Sequence, residues 1–130
     1  MGTERIKSFK DLVAWQESRG LAIDIYLLTK TFPSSEMFGL TSQMRRAAVS
    51  IGSNIAEGFS RQYKEEKCQF YSIAIGSLTE LLHQVFISEG VGYVDSPKRE
   101  KLEESCEHIG KLIQGLFRSV QSRPSPNTKY

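Results

Sequence analysis

The chain has 130 residues, with 17 lysines and arginines against 15 aspartates and glutamates, and this length favours a single compact domain. Hydrophobic residues make up 39% and charged residues 25%, which argues against a disordered chain, a collagen or a coiled-coil rod. No segment approaches the roughly 20 uncharged apolar residues of a membrane span, and the charged N-terminus does not resemble a signal peptide. We therefore expect a cytoplasmic protein without a membrane partner.

Apolar residues recur at the helical period along the chain, which predicts an all-α fold. Ser8, with Asp11 three residues later, resembles a capping box before a first helix that Phe32 and Pro33 end. The predicted inward face of this helix is Leu12, Trp15, Ala22, Ile23 and Tyr26. A second helix ends near Gly58, and its inward face is Leu40, Met44, Ala47, Ala48, Ile51 and Ile55.

A third helix is predicted from about Tyr63 to Glu89, where Gly90 is placed to terminate it. Its inward face is Tyr71, Ala74, Leu78, Leu81, Leu82 and Val85. Ser96 and Pro97 form the N-cap and first-turn pair of a fourth helix. Its apolar seam is Leu102, Cys106, Ile109, Ile113, Leu116 and Val120. Four helices with short connections predict an up-down-up-down antiparallel four-helix bundle.

Basic residues concentrate at the C-terminal end of the chain. Residues 108–130 carry four lysines and arginines and no acidic residue, whereas residues 1–107 carry two more acids than bases. Residues 122–130 hold two prolines among serine, asparagine and threonine, a composition that buries too little apolar surface to order a segment. We predict a four-helix bundle over residues 8–121 and a flexible basic tail over residues 122–130, suited to nucleic acid, an acidic partner or solubility.

The third helix carries more apolar residues than one bundle core needs. At about 100° per residue, Ile73, Gly76 and Ile87 fall on the face opposite its predicted core. Val49 and Ala56 likewise point away from the inward face of the second helix. These five residues are either scattered surface apolarity or an oligomer interface, and we favour the interface.

Five polar residues of the second helix follow one another in steps of three and four, and we call them the polar ladder: Gln43, Arg46, Ser50, Asn54 and Glu57. Side chains in such a register either hydrogen-bond across a helix or subunit interface, or present a guanidinium and amides to phosphates. We favour the structural network, because Glu57 would repel a phosphate backbone.

The sequence offers no catalytic constellation. Cys68 and Cys106 lack the spacing of a zinc site and fall on or beside apolar faces, so we expect them to be buried hydrophobic side chains. Glu80 and His83 form a single glutamate-x-x-histidine motif, whereas di-iron bundles use two copies with further glutamates. We predict no enzyme activity, no cofactor and no metal, with a metal-binding carboxylate bundle as a remote alternative.

Residues 38–58, which read FGLTSQMRRAAVSIGSNIAEG, closely resemble the four-helix-bundle proteins of bacterial 23S rRNA intervening sequences. Residues 9–16, 32–36 (FPSSE) and 73–81 (IAIGSLTEL) are similar to that family's opening segment, first turn and third-helix signature. The resemblance covers residues 8–120 and implies a small bundle whose genes are linked to ribosomal RNA. A distant similarity to the accessory variability determinant of diversity-generating retroelements implies a pentameric ring that binds nucleic acid and a partner protein.

We therefore expect a non-enzymatic homo-oligomeric bundle, a pentamer by resemblance, that is RNA-associated or acts as a scaffold. The alternative is an accessory protein–protein interaction subunit that binds no nucleic acid. If RNA or DNA is bound, basic side chains should contact phosphates, and binding should weaken with salt. The candidate nucleic-acid-binding residues are Arg45, Arg46, Arg61, Lys64, Lys67, Lys111, Arg118, Arg123 and Lys129.

Overall fold

The computed structural model describes residues 5–122, which contain four α-helices and no strand. The helices are α1 Val13–Thr29, α2 Leu40–Ser60, α3 Lys64–Gly90 and α4 Ser96–Gln121. Each helix packs against the next along the chain, and α1 also packs against α4. The predicted all-α four-helix bundle is thereby confirmed. The tail predicted over residues 122–130 lies outside the described residues, apart from Ser122.

The connecting segments define two ends of the bundle. At one end the α1–α2 and α3–α4 loops meet: the rings of Phe32 and Tyr93 lie 5.1 Å apart, and the Tyr93 hydroxyl donates to Glu36 Oε2 at 2.8 Å. We call this the loop end. The opposite end holds the short connection of residues 61–63 between α2 and α3, and we call it the junction end.

The predicted capping box at Ser8 exists, but it caps a 3-10 turn, Phe9–Asp11, and not α1 itself. Asp11 accepts hydrogen bonds from the backbone N–H groups of Lys7 and Ser8 at 2.9 and 3.1 Å, which lower the pKa of its carboxyl. The α4 N-cap is Asp95 and not the predicted Ser96, because the Asp95 carboxylate accepts from the Lys98 N–H at 2.9 Å. The Ser96 hydroxyl donates to Glu89 instead.

The inward face predicted for α1 is wrong in two positions, since Ile23 and Tyr26 are exposed. The helix buries Ala14, Ser18, Leu21, Ile25 and Thr29. Ser18 and Thr29 tolerate burial because their hydroxyls donate to the backbone carbonyls four residues earlier, both at 2.7 Å. Polar residues therefore occupy core positions that a count of apolar residues overlooks.

The core faces of the other helices follow the predicted stripes. All predicted inward residues of α2, α3 and α4 are buried except Leu40, Leu82 and Leu116, which are partly buried and pack against the core. The structure adds Gln84 and Ser88 to the core face of α3. Among the described residues, α3 alone has the length and composition of a membrane-spanning helix, a test that core helices of soluble proteins also meet.

Gly58 lies at a point of close approach between α2 and α3. A Cβ atom at this position would lie 2.7 Å from Cε1 of Tyr71 and 3.1 Å from Cβ of Phe70. The Tyr71 ring is buried and packs edge-on against Phe117 of α4, 5.9 Å between centroids. Glycine is therefore required here for helix packing, two residues before α2 ends at Ser60.

Candidate functional site

Three residues of the polar ladder, Ser50, Asn54 and Glu57, are hydrogen-bonded within the fold. The Ser50 hydroxyl lies 2.8 Å from the Ser77 hydroxyl and so joins α2 to α3. Asn54 Nδ2 donates to the Ser50 carbonyl and hydroxyl at 2.8 and 3.0 Å. Glu57 pairs with Arg61 four residues later, at 2.7 Å. These three ladder residues are satisfied without any ligand.

The other two residues of the polar ladder, Gln43 and Arg46, lie at an open cleft. Gln43 and Arg46 are exposed, and their side chains form no hydrogen bond or ion pair with other residues in the described range. They line a polar cleft of about 530 Å³ between α2 and α3, whose other lining residues are Ala47, Ser50, Ser77 and Glu80. The cleft thus presents a free guanidinium and a carboxylate, and the carboxylate disfavours a phosphate ligand.

Gln84 lies one turn beyond Glu80 and is only 5% exposed. Its Nε2 donates to Glu80 Oε2 at 3.3 Å, and its buried Oε1 has no hydrogen-bond partner in the part of the chain that the structure describes. The amide therefore holds the Glu80 carboxylate at the cleft while leaving one acceptor unsatisfied.

Arg45, a candidate for nucleic-acid binding, is engaged by α1. Its Nε donates to the Thr29 hydroxyl at 2.9 Å, and its guanidinium carbon lies 4.7 Å from the centre of the Tyr26 ring. The exposed Tyr26 that the sequence placed in the core is thus the platform for a cation–π contact. Arg45 fastens α1 to α2, so its guanidinium already has partners within the fold.

Two of the three candidate cations at the junction end, Arg61 and Lys67, are also engaged. Arg61 pairs with Glu57 and stacks over Phe70, with 4.9 Å between the guanidinium carbon and the ring centre. Lys67 Nζ donates to the carbonyls of Phe59 and Gly58 at 2.8 and 3.4 Å, and so caps the C-terminal end of α2. Lys64 is the first residue of α3 and is followed by two glutamates.

The remaining candidate cations lie on α4 or beyond it. Lys111 and Arg118 are exposed and have no hydrogen-bonded partner within residues 5–122. Arg118 borders a cleft of about 380 Å³ between α3 and α4. Arg123 and Lys129 lie outside the described residues. Since Arg46 and Arg61 stand about 22 Å apart along α2, the candidate residues do not form one basic patch.

The five candidate interface residues separate into two surfaces. Ile73, Gly76 and Ile87 are exposed on α3. Val49 and Ala56 line a groove of about 330 Å³ between α1 and α2, which we call the α1–α2 groove. Its other lining residues are Phe9, Trp15, Ser18, Arg19, Ala22, Ala48, Gly52 and Ser53.

Sequence reasoning missed Phe38 as a functional candidate. Its side chain is 96% exposed, the most exposed large hydrophobic residue in the described range, and the neighbouring Met37 is also exposed. Phe38 lies between the 3-10 turn Ser34–Glu36 and the first turn of α2, outside any helical face. The signal in the sequence was an aromatic residue in a loop. The structure shows that Phe32 is the residue of this loop that is buried in the core.

The loop that carries Phe38 is held by Glu36. Glu36 Oε1 accepts from the Leu40 N–H at 3.1 Å, and Oε2 accepts from the Tyr93 hydroxyl. These two hydrogen bonds lower the pKa of the Glu36 carboxyl, and the same contact raises the pKa of the Tyr93 hydroxyl. The carboxylate thus ties the α1–α2 loop both to α2 and to the α3–α4 loop.

Groups that could support metal or thiol chemistry do not converge. Within residues 5–122, no three His, Cys, Asp or Glu side chains come together as a metal site, and Glu80 and His83 are exposed on α3. Cys106 is buried, and burial together with Glu103 and Glu107 raises the pKa of its thiol to about 12. Cys68 is partly buried against the core. The Cys106 thiol therefore stays protonated at neutral pH.

These features define the class of protein, which is a small helical bundle with an open polar cleft and exposed apolar surfaces. The family model for 23S rRNA-intervening sequence protein matches residues 10–115, so the chain belongs to that family. The similarity to the retroelement accessory determinant remains a prediction.

Comparison with solved structures agrees on the fold. The chain is similar to a crystal structure of a protein with unknown function from the S23 ribosomal protein family of Bacteroides thetaiotaomicron, with a TM-score of 0.73 and 21% sequence identity. The match covers 82% of this chain and 99% of that chain. At this identity the likeness shows the fold alone. No curated protein matches the sequence.

Proposed function

We propose that this protein is a non-enzymatic, homo-oligomeric four-helix bundle that acts as a scaffold and associates with RNA. The observation that carries the proposal is apolar surface outside the core. Val49, Ile73 and Ile87 are each 44–45% exposed, and they occupy two faces of the bundle. Association would remove this surface from water, at about 25 cal/mol per Å² of apolar area. A pentameric ring is the assembly that the family resemblance implies.

Light scattering coupled to size exclusion tests the assembly. We expect a mass that is a multiple of 14.7 kDa at micromolar concentration. Ile73→Lys and Ile87→Lys should lower that mass and leave the helical circular dichroism unchanged, because neither residue belongs to the core. Ile23→Lys, a similarly exposed isoleucine of α1, is the matched control. A monomer in the wild type would overturn the proposal.

The RNA component is supported by the candidate cations without a side-chain partner within residues 5–122, which are Arg46, Lys64, Lys111 and Arg118. A ring would repeat this sparse set around one assembly and strengthen weak phosphate contacts. Binding of structured or single-stranded RNA should fall steeply with salt. Replacing Lys111 and Arg118 together with glutamine should reduce the salt slope by about 2, whereas Arg61→Gln should not, because Arg61 is paired with Glu57.

A protein–protein interaction subunit without nucleic-acid binding is the second candidate. It is favoured by the engagement of Arg45, Arg61 and Lys67 within the fold. Failure of the oligomer to bind any RNA at low salt would select this function over the first.

A further inference from the structure

We infer that the polar cleft between α2 and α3 is a binding site for a small zwitterion, a free α-amino acid. In this site Arg46 on α2 binds the carboxylate of the ligand, while Glu80 and Gln84 on α3 bind its ammonium group. The inference goes beyond the proposed function, because a single copy of the chain carries every residue of the site.

The polar cleft carries two opposite charges that do not neutralise each other. Arg46 lines it from α2 and Glu80 lines it from α3, and the two side chains form no ion pair with each other in the described structure. A ligand with a net charge, such as a phosphate, a nucleotide or a polyamine, meets a like charge on one side of the cleft. A ligand with two separated charges and no net charge meets an opposite charge on both sides.

The orphaned acceptor of Gln84 is a second and independent sign of a ligand. Ser50 and Ser77 are in contact across the antiparallel helices α2 and α3, and Gln43 and Gln84 each lie seven residues nearer the loop end. Both glutamines therefore share one layer of the bundle, two helical turns from the serines. The Gln84 amide contacts Glu80, which lines the cleft, and its buried Oε1 has no donor within residues 5–122. An N–H group of a ligand supplies that donor.

An ammonium group matches the acceptors that α3 presents to the cleft. A protonated amine has three N–H donors. The corresponding acceptors are the orphaned Oε1 of Gln84, the Ser77 hydroxyl and Oε1 of Glu80, since the Gln84 amide uses the other carboxylate oxygen, Oε2. Because Glu80 is a carboxylate, a charged amine is favoured over a neutral amide.

A carboxylate group matches the donors that α2 presents to the cleft. The Arg46 guanidinium can bind a carboxylate with two parallel N–H···O bonds, and the Gln43 amide adds another donor. Both side chains are exposed and unengaged within residues 5–122, so no internal bond has to break when the ligand binds. The volume of about 530 Å³ lies in the range of roughly 300–1,000 Å³ of small-molecule sites, which leaves room for the side chain of the amino acid.

The test screens the full-length protein against each of the standard L-α-amino acids, at about 10 mM, by thermal unfolding. At least one amino acid should raise the melting temperature by about 3 °C or more, and isothermal titration calorimetry then gives its dissociation constant. The methyl ester of that amino acid lacks the carboxylate charge, and its N-acetyl derivative lacks the ammonium charge. Each derivative should bind about 10-fold more weakly or worse, and these comparisons leave the protein itself unaltered.

Three variants remove one recognition group each. Arg46→Gln and Glu80→Gln should each raise the dissociation constant of the selected amino acid about 10-fold or more. Gln84→Met keeps a side chain of similar length but removes the orphaned acceptor, so it should weaken binding and raise the melting temperature of the ligand-free protein. Arg19→Gln and Glu104→Gln, at exposed positions outside the cleft, are the matched controls and should keep the wild-type dissociation constant.

The inference is overturned if no amino acid changes the melting temperature, because water is then the only occupant of the cleft. Equal binding of the parent amino acid and its two derivatives would also overturn it. So would tighter binding of inorganic phosphate or guanosine that Arg46→Gln abolishes, which would return the cleft to RNA contacts. All these outcomes are distinct from the oligomer mass, by which the proposed function is tested.

Discussion

The two ends of the bundle differ in whether their surface side chains are engaged within the fold or left exposed. At the junction end, charged side chains are engaged internally, with Arg61 on Glu57 and Lys67 on the last carbonyls of α2. At the loop end, Glu36 fixes the loop, but the Phe38 side chain that the loop carries is left 96% exposed. The contrast teaches that basic residues in the sequence are a poor guide to free charge.

The largest effect is expected at the junction end, from Gly58→Ala. The new Cβ would lie 2.7 Å from the buried Tyr71 ring, so the free energy of unfolding should fall by about 1–3 kcal/mol despite the better helix propensity of alanine. Gly76→Ala, where the new Cβ would meet no atom within 4 Å beyond its own helix backbone and chain neighbours, should be neutral or stabilising by up to about 1 kcal/mol. Urea unfolding at one fixed protein concentration measures both, and equal stabilities would contradict the close packing.

Lys67→Met sharpens the distinction between engaged and free cations. It keeps the aliphatic stem but removes the hydrogen bonds to Phe59 and Gly58, so stability should fall by about 1 kcal/mol. Lys111→Met, at an exposed position of α4, should change stability by less than about 0.5 kcal/mol. In RNA-binding titrations the order should reverse, with the larger loss for Lys111→Met. A greater loss of RNA affinity for Lys67→Met would restore the junction end as a phosphate site.

The bundle could be predicted from the sequence because α2, α3 and α4 bury stripes of apolar or small residues at helical spacing. The α1 stripe could not, because Ser18 and Thr29 satisfy their hydroxyls on their own helix and so enter the core without an apolar signature. The choice between Asp95 and Ser96 as the α4 N-cap depends on a shift of one residue, which the residue types do not resolve.

The candidate site was less predictable. Helical spacing places the polar ladder on one edge of α2, but the partner of Ser50 lies 27 residues later, and its position depends on how α3 slides along α2. The engagement of Arg45 by Tyr26 and Thr29 has the same origin in helix packing. The exposure of Phe38 follows from Phe32 having already filled the loop-end core, which only the assembled bundle determines.

Mild acid should remove the stabilising contribution of Glu36 at the loop end. The pKa of Glu36 is lowered in the folded chain, so its ionised form stabilises the fold above its unfolded value near 4.5, and that contribution is lost as the pH falls through the folded pKa. Stability measured from pH 7 to 3 should therefore decline less steeply in Glu36→Gln than in the wild type, with a lower starting value at pH 7. Asp11→Asn, at another carboxyl of lowered pKa, should flatten the decline in the same direction. Identical slopes for wild type and Glu36→Gln would contradict the role of Glu36.

The smallest effect on the isolated chain is expected from Arg46→Ala. Its neighbour in the sequence, Arg45, is engaged within the fold and serves as the comparison. Arg45→Ala removes the bond to Thr29 and should lower the free energy of unfolding by about 0.5–1.5 kcal/mol. The Arg46 side chain is exposed and unpaired within residues 5–122, so Arg46→Ala should change the free energy of unfolding by less than about 0.5 kcal/mol.

The other effects of Arg46→Ala, on oligomer mass and on RNA affinity, then identify the role of the polar cleft. A lower oligomer mass with unchanged RNA affinity places the cleft in a subunit interface, whereas lost RNA affinity at full oligomer mass makes it a phosphate contact. If Arg46→Ala instead destabilises the chain as much as Arg45→Ala at a concentration where the protein is monomeric, the guanidinium has a partner within the fold, and the contrast between the two arginines is lost.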